Sequence, residues 1–254
     1  MAIVPFLAMA AVEMRNISAL PPKTAWMACH FSPYGPGLSN LPRTLPPGAL
    51  LILDDVTPPH RHDPTLVAEQ LSECVETLQC CGILLDFQRK GCAETKAIAK
   101  HLAEALPCPV VLSDSYAEDL DCPVFLPSIP PSVPPETYLS PWQSREIWLE
   151  ISLEGEILTL TEQGCERAPF PCPDPDATGF FDETLHCHYS IETNEKSARF
   201  TLWRTKEDLS ELLEDAESLG VASSVGLYQE LHRNAKTAPD FSRAVLSTNK
   251  EGFN

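Results

Sequence analysis

Positive charge is scarce in this chain. Against 36 Asp and Glu stand 18 Lys and Arg, a formal net charge of −18. The imbalance lies in the middle: residues 1–50 and 232–254 each carry +2, so residues 51–231 hold −22. Such a surface repels phosphate backbones and anionic lipid, which excludes nucleic acid and membrane surfaces as partners. Glycine is also sparse, at 11 residues, and none builds a phosphate-binding loop after an apolar strand, which removes support for a dinucleotide fold. No Gly-x-Ser-x-Gly elbow occurs,. No pair among the ten cysteines has zinc-finger spacing, and Cys74, Cys80, Cys81 and Cys187 sit inside apolar runs, as buried free thiols do. The apolar opening, Met1 to Val12, lacks a positive leading region and is too short to span a bilayer,. These absences describe an acidic, soluble, cytoplasmic protein with reduced thiols and no cofactor.

What is present is a repeating alternation. The chain has 254 residues, 43% of them hydrophobic, and a barrel of eight β/α units needs about 250. Thr24–Phe31 reads as a strand and runs into a Pro/Gly-rich loop. Ala49–Leu53 is a second strand, ending at Asp54-Asp55. Asp63-Pro64 gives an N-cap and a first-turn proline to a helix over 64–79, with Val67, Leu71, Cys74, Val75 and Leu78 on one stripe,. A strand over 82–87 follows, then a helix over 93–106 and short strands at Pro109–Leu112 and Pro123–Leu126. Strand–helix alternation of this kind predicts parallel pairing through right-handed crossovers.

The second half changes style. Glu146–Ser152 alternates, and with Ile157–Thr161 it reads as a hairpin around Glu154-Gly155,. Residues 164–184 read as a long loop. His186–Glu192 and Arg199–Arg204 read as another hairpin. Thr205 and Asp208 resemble a capping box opening a helix over 206–219, closed by Gly220,. Val221–Leu227 is a last strand. Strands of the parallel type then fall near residues 25, 50, 83, 110, 124, 147, 187 and 222. The expectation is an α/β fold, an irregular (β/α)8 TIM-barrel-like domain with inserted β-hairpins. Residues 1–23 would be an N-terminal arm, 24–231 a single barrel domain, and 232–254 a mobile tail.

Barrels of this kind carry function at the C-terminal ends of their strands. Those positions nominate Asp86 and Glu150 as catalytic carboxylates, with Asp54, Gln88, Tyr116, Trp148 and Tyr228 as substrate-binding residues. A charge such as Glu150 inside a strand is costly unless paired or hydrated. Two carboxylates across a barrel mouth, near aromatic rings, suit glycoside chemistry. The bland alternative is that Asp86 and Glu150 are salt-bridged to Arg89, Arg145 or Arg204.

The segment Cys81-Gly82-Ile83-Leu84-Leu85-Asp86-Phe87-Gln88 resembles the strand-four signature of chitinase-like glycoside hydrolases, Asp-Gly-x-Asp-x-Asp-x-Glu. Gly82, Asp86 and the aromatic Phe87 match it. Cys81 and Leu84 replace the first two acids, and Gln88 stands where the resemblance places the catalytic glutamic acid. The strand is the third in the sequence count. The resemblance implies the barrel fold and a saccharide groove. It also implies that the usual hydrolysis is absent, or that Glu150 supplies the acid, since an amide cannot protonate a leaving group.

Two weaker constellations accompany it. His186-Cys187-His188, with His60 and His62, suggests a metal-dependent hydrolase with histidines at the barrel mouth. Cys29-His30 and Ser32 are candidate nucleophiles, but neighbouring residues of a strand face opposite ways and form no dyad. The functional expectation is a glycoside-hydrolase-like barrel that binds a saccharide, with hydrolysis left open. A metal-dependent hydrolase and a non-enzymatic scaffold or pseudoenzyme are the alternatives. The oligomeric state is not legible.

Overall fold

The computed structural model describes residues 3–118, 120–171 and 177–232. In chain order its elements are β1 (Phe6–Met9), α1 (Ala11–Asn16), β2 (Thr24–Phe31), β3 (Leu38–Ser39), β4 (Leu50–Asp54), α2 (Pro64–Leu78), β5 (Gly82–Asp86), α3 (Ala93–Ala105), β6 (Val110–Ser113) and α4 (Asp114–Ala117). Then come β7 (Val124–Leu126), α5 (Pro135–Leu139), β8 (Ile147–Ile151), β9 (Gly155–Thr161), β10 (Gly164–Phe170), β11 (Phe180–Asp182), β12 (Cys187–Thr193), β13 (Ser197–Trp203), α6 (Lys206–Ser218), β14 (Val221–Leu227) and α7 (Tyr228–Leu231).

Eight parallel strands, in the order β1, β14, β8, β7, β6, β5, β4, β2, close on themselves through a β1–β2 pairing. This is the TIM-barrel-like α/β fold. Short β3 adds to β2 antiparallel. Alternation along each strand divides the apolar residues into two layers. Phe6, Ala8, Ala25, Leu50, Ile52, Leu84, Val111, Phe125 and Val225 fill the barrel interior. The opposite faces meet the stripes of α2, α3 and α6, where Val67, Leu71, Ile98, Leu102, Leu209 and Leu212 are buried. Each such leucine contributes about 2–3 kcal/mol by leaving water. The Asp63 side chain accepts from the Thr65 N–H at 3.0 Å to cap α2. Thr205 and Asp208 form the reciprocal box at α6, and Gly220 takes φ +98° just past that helix.

Several expectations need correction. Phe6–Met9, placed in an arm by the sequence reading, is a barrel strand buried at all four positions. It takes the place expected for the strand near 187. Residues 189–193 of β12 are half-buried to exposed, whereas a barrel strand is covered on both faces. β12 belongs instead to a five-stranded antiparallel sheet, β10-β9-β13-β12-β11, inserted between β8 and α6. The β12–β13 hairpin is as expected, and its turn is held by Asn194 Oδ1, which accepts from Lys196 and Ser197 N–H at 2.9 and 3.0 Å. β8 and β9 do not form a hairpin, because β8 pairs within the barrel and β9 within the second sheet. The segment read as a loop over 164–184 contains β10 and β11. The tail beyond residue 232 lies outside the described residues. Among the described residues no helix is long and apolar enough to cross a membrane.

Candidate functional site

The mouth of the barrel is built from strand ends. Asp54 and Asp86 close β4 and β5 and are register partners. Each lies two residues beyond an interior side chain, Ile52 or Leu84, so both carboxylates point to the barrel axis. Glu150 follows the interior Trp148 on β8 by the same step. Asp54, Asp55, Asp86, Gln88 and Glu150 line one cavity of about 250 Å³, floored by apolar residues including Leu84, Phe125 and Val225. Among the described residues no Lys, Arg or His belongs to its wall.

The charges are therefore uncomfortable. Burial pushes the Asp86 carboxyl above its usual range; the Gln88 amide opposes this, and the charges of Asp54 and Asp55 add to it. Glu150 is raised by burial, then by Asp86, against a backbone N–H from Ser128. Asp54 is raised by burial, against the Val56 N–H, which donates to it at 3.0 Å, and the charge of His30. Desolvation and like charge both favour the protonated forms.

The expected salt bridges to these acids are not formed. Arg89 donates to the carbonyls of Asp55 and Val56 at 2.8 and 2.7 Å. Arg145 donates to the carbonyls of Ala117 and Leu120. Arg204, 3% exposed, donates to those of His186, Ile129 and Leu185. All three guanidinium groups hold backbone rather than carboxylate.

The loop after β5 carries Gln88 and is pinned from two sides. The buried Asp55 carboxylate accepts the N–H groups of Gln88 and Arg89 at 2.8 and 3.1 Å. Ser113 Oγ accepts from the Phe87 N–H at 3.1 Å and lies 2.8 Å from the Phe87 carbonyl, to which it donates. So placed, Gln88 Nε2 donates to Asp86 Oδ1 at 2.5 Å. Asp55 is read at the end of its strand but not nominated as a site residue. Its signal is its place just past Asp54, where a second acid within reach of the next strand's loop can accept that loop's N–H groups.

Of the predicted site residues, Asp54, Asp86, Gln88 and Glu150 converge, and three do not. Tyr116 sits in α4, which follows β6 without a loop, and so faces the helix layer. Its hydroxyl donates to the Arg89 carbonyl and its ring meets Phe87 edge-on, with centroids 6.0 Å apart. Trp148 lies deeper in the barrel, stacked on Phe6 at 5.7 Å, with Nε1 donating to Glu146 just before its own strand. Tyr228 opens α7, stacks on His232 at 4.7 Å, and lies outside the cavity wall.

The histidines are also elsewhere. His186 Nε2 contacts Asp215 of α6 at 2.7 Å, and His188 contacts Asp208 at 3.4 Å and stacks on Trp203. Both belong to the second sheet's packing on α6, not to the barrel mouth. His62 meets the Ser32 carbonyl at 3.1 Å. Among the described residues no group of three or more ligating side chains could hold a metal ion. Cys29 is fully buried, with its thiol pushed far above the usual range by burial, which removes it as a nucleophile,.

No family model matches the chain, and no curated protein matches it in sequence. Solved structures do. A glycoside hydrolase family 18 N-acetylglucosaminidase from Paenibacillus barengoltzii has a TM-score of 0.58 at 9% identity, over 90% of this chain and 97% of that one. The fold is that of the family 18 glycoside hydrolases. A family 18 chitinase from Cycas revoluta, solved with (GlcNAc)4, has a TM-score of 0.55 at 11% identity, over 89% and 94% of the two chains. The Bacillus cereus spore cortex-lytic enzyme SleL has 0.55 at 10%, over 88% and 70%. At these identities the likeness is one of fold alone. With β1 restored to the barrel, β5 becomes its fourth strand, in agreement with the resemblance carried by Gly82–Gln88.

Proposed function

We propose that this glycoside-hydrolase-like barrel binds a saccharide at the mouth formed by Asp54, Asp86, Gln88 and Glu150. The observation that carries the reading is the convergence of three carboxylates and an amide on one cavity, at the ends where such barrels place ligand contacts,. Hydroxyl-rich ligands supply donors to carboxylates that have no cation. Likeness of fold to enzymes and an agglutinin of chitinase type supports the ligand class. Gln88, with a proton it cannot transfer, argues for binding without the family's hydrolysis.

A second reading, hydrolysis with Glu150 as proton donor and Asp86 as stabiliser of the cationic transition state, is favoured by one observation. Glu150 is a half-buried carboxyl held above its usual range, the direction in which a general acid is tuned.

Thermal unfolding with a panel of neutral, N-acetylated and amino-sugar oligosaccharides tests binding. A ligand at 100 times its Kd should add about 2.7 kcal/mol, a rise of several degrees at this size. No rise with any sugar overturns the saccharide reading. Release of product from chitooligosaccharides, lost in Glu150→Gln, would establish the second reading, and its absence in the wild-type protein would remove it.

A further inference from the structure

A second cavity, also about 250 Å³, lies beside the mouth. Its wall includes Ser128, Pro130, Pro131, Glu154, Glu156 and Arg167. It forms where the loop after β7 faces the first strands of the inserted sheet. Ser128 joins it to the mouth, because that residue lines this cavity and its backbone N–H lies within electrostatic reach of Glu150. Glu154 adds to the negative potential felt by Glu150.

Glu156 is the unusual member. The residue is only 9% exposed. Its Oε1 has a long contact to the exposed Arg167 at 3.4 Å, and its Oε2 is buried with no hydrogen-bond partner among the described residues. The buried Arg204 lies within electrostatic reach of Glu156, but donates to three carbonyls. A buried acceptor without a donor costs about 1–3 kcal/mol. It persists most readily where a ligand completes it.

We infer that this cavity is a second saccharide subsite, and that the sugars it favours carry a free ammonium group rather than an acetamide. The inference rests on the proposed saccharide reading and deepens it. A hydroxyl would satisfy Glu156 Oε2, but an ammonium also answers the charge. The mouth brings together the carboxylates of Asp54, Asp86 and Glu150 with no cation among the described residues of its wall, and the adjoining wall holds two carboxylates against one arginine. A neutral sugar leaves that excess in place. Pro130 and Pro131 give the flat aliphatic surface on which a sugar ring rests.

The test is calorimetric titration of the full chain with β-1,4-linked trimers of glucosamine and of N-acetylglucosamine at pH 6. The glucosamine trimer should bind more tightly. Glu156→Gln should weaken it about tenfold or more, the scale of a charged hydrogen bond. Glu154→Gln, on the exposed side of the same cavity, should weaken it severalfold and keeps the test valid should the buried variant misfold. Glu104→Gln on α3, far from the mouth, should change nothing. Equal losses in Glu104→Gln and the cavity variants would mean general attraction to an acidic protein and would overturn the inference. Equal or tighter binding of the N-acetylated trimer would also overturn it, while leaving the saccharide reading in place. Binding of neither trimer nor any neutral sugar would overturn both.

Discussion

Gln88 Nε2 donates to Asp86 Oδ1 at 2.5 Å, so an amide, not an acid, touches the carboxylate at the barrel mouth. Gln88→Glu would put two carboxyl groups at that contact. They can coexist there only by sharing a proton. The variant should therefore lose stability relative to the parent at pH 8 and recover most of it at pH 5. Thermal unfolding at both values checks this; an identical pH dependence in the two proteins would show that the contact does not form.

Asp86→Asn should stabilise the fold at neutral pH. The folded-state carboxyl is raised, so the folded protein binds more protons than the unfolded chain between the ordinary and the raised value. Stability then falls as pH climbs through that window. Asn removes the charge and still accepts from Gln88. Its thermal midpoint should exceed the parent's at pH 7 and match it near pH 3, while saccharide binding is lost. A lower midpoint at pH 7 would contradict repulsion among the mouth acids.

Asp55→Ala removes the acceptor of two backbone N–H groups at once. Hydrogen bonds to a charged group are worth about 1.5–3 kcal/mol each, so a loss of roughly 3–5 kcal/mol is expected. Denaturant titration measures it. Ligand affinity should fall as well, because Gln88 loses its anchor.

Thr205→Ala removes the side chain that accepts the Asp208 N–H at 3.2 Å and opens α6. The expected cost is about 1 kcal/mol, or a fall of about 2–4 °C in Tm for a domain of this length. A change well below that would mean the Asp208 half of the box suffices.

Much of the barrel is written in the sequence, because strands buried on both faces read as unbroken apolar runs. Leu50–Leu53 and Gly82–Leu85 show this directly. Phe6–Met9 has the same property but stands next to Ala11–Asn16, without a turn signal between them, and merges into one apolar stretch. Cys187–Thr193 misleads in the other direction, since a two-residue period fits either sheet and only the pairing partner decides. The mouth acids were legible because a charge at the end of an apolar run must meet water, a partner or a ligand there. Tyr116 and Trp148 were not, because direction along the barrel axis depends on register and on whether a loop or a helix follows the strand. The two halves of the Glu156 cavity stand well apart in the chain and share no motif.

β1 lies between β2 and β14, with Phe6 opposite Val225 and Leu7 opposite Thr24. The barrel therefore closes only when the ends of the described chain meet. Until β14 exists, β1 has one unpaired edge and β8 another, and both are templates for foreign strands. During synthesis at about 5–20 residues per second, the six strands from β2 to β8 and the whole inserted sheet emerge while that seam stays open. Closure is then a contact of very high sequence separation, the kind that sets a slow folding rate. Conditions that slow the appearance or docking of β14 should lower soluble yield more than any weakening of the mouth.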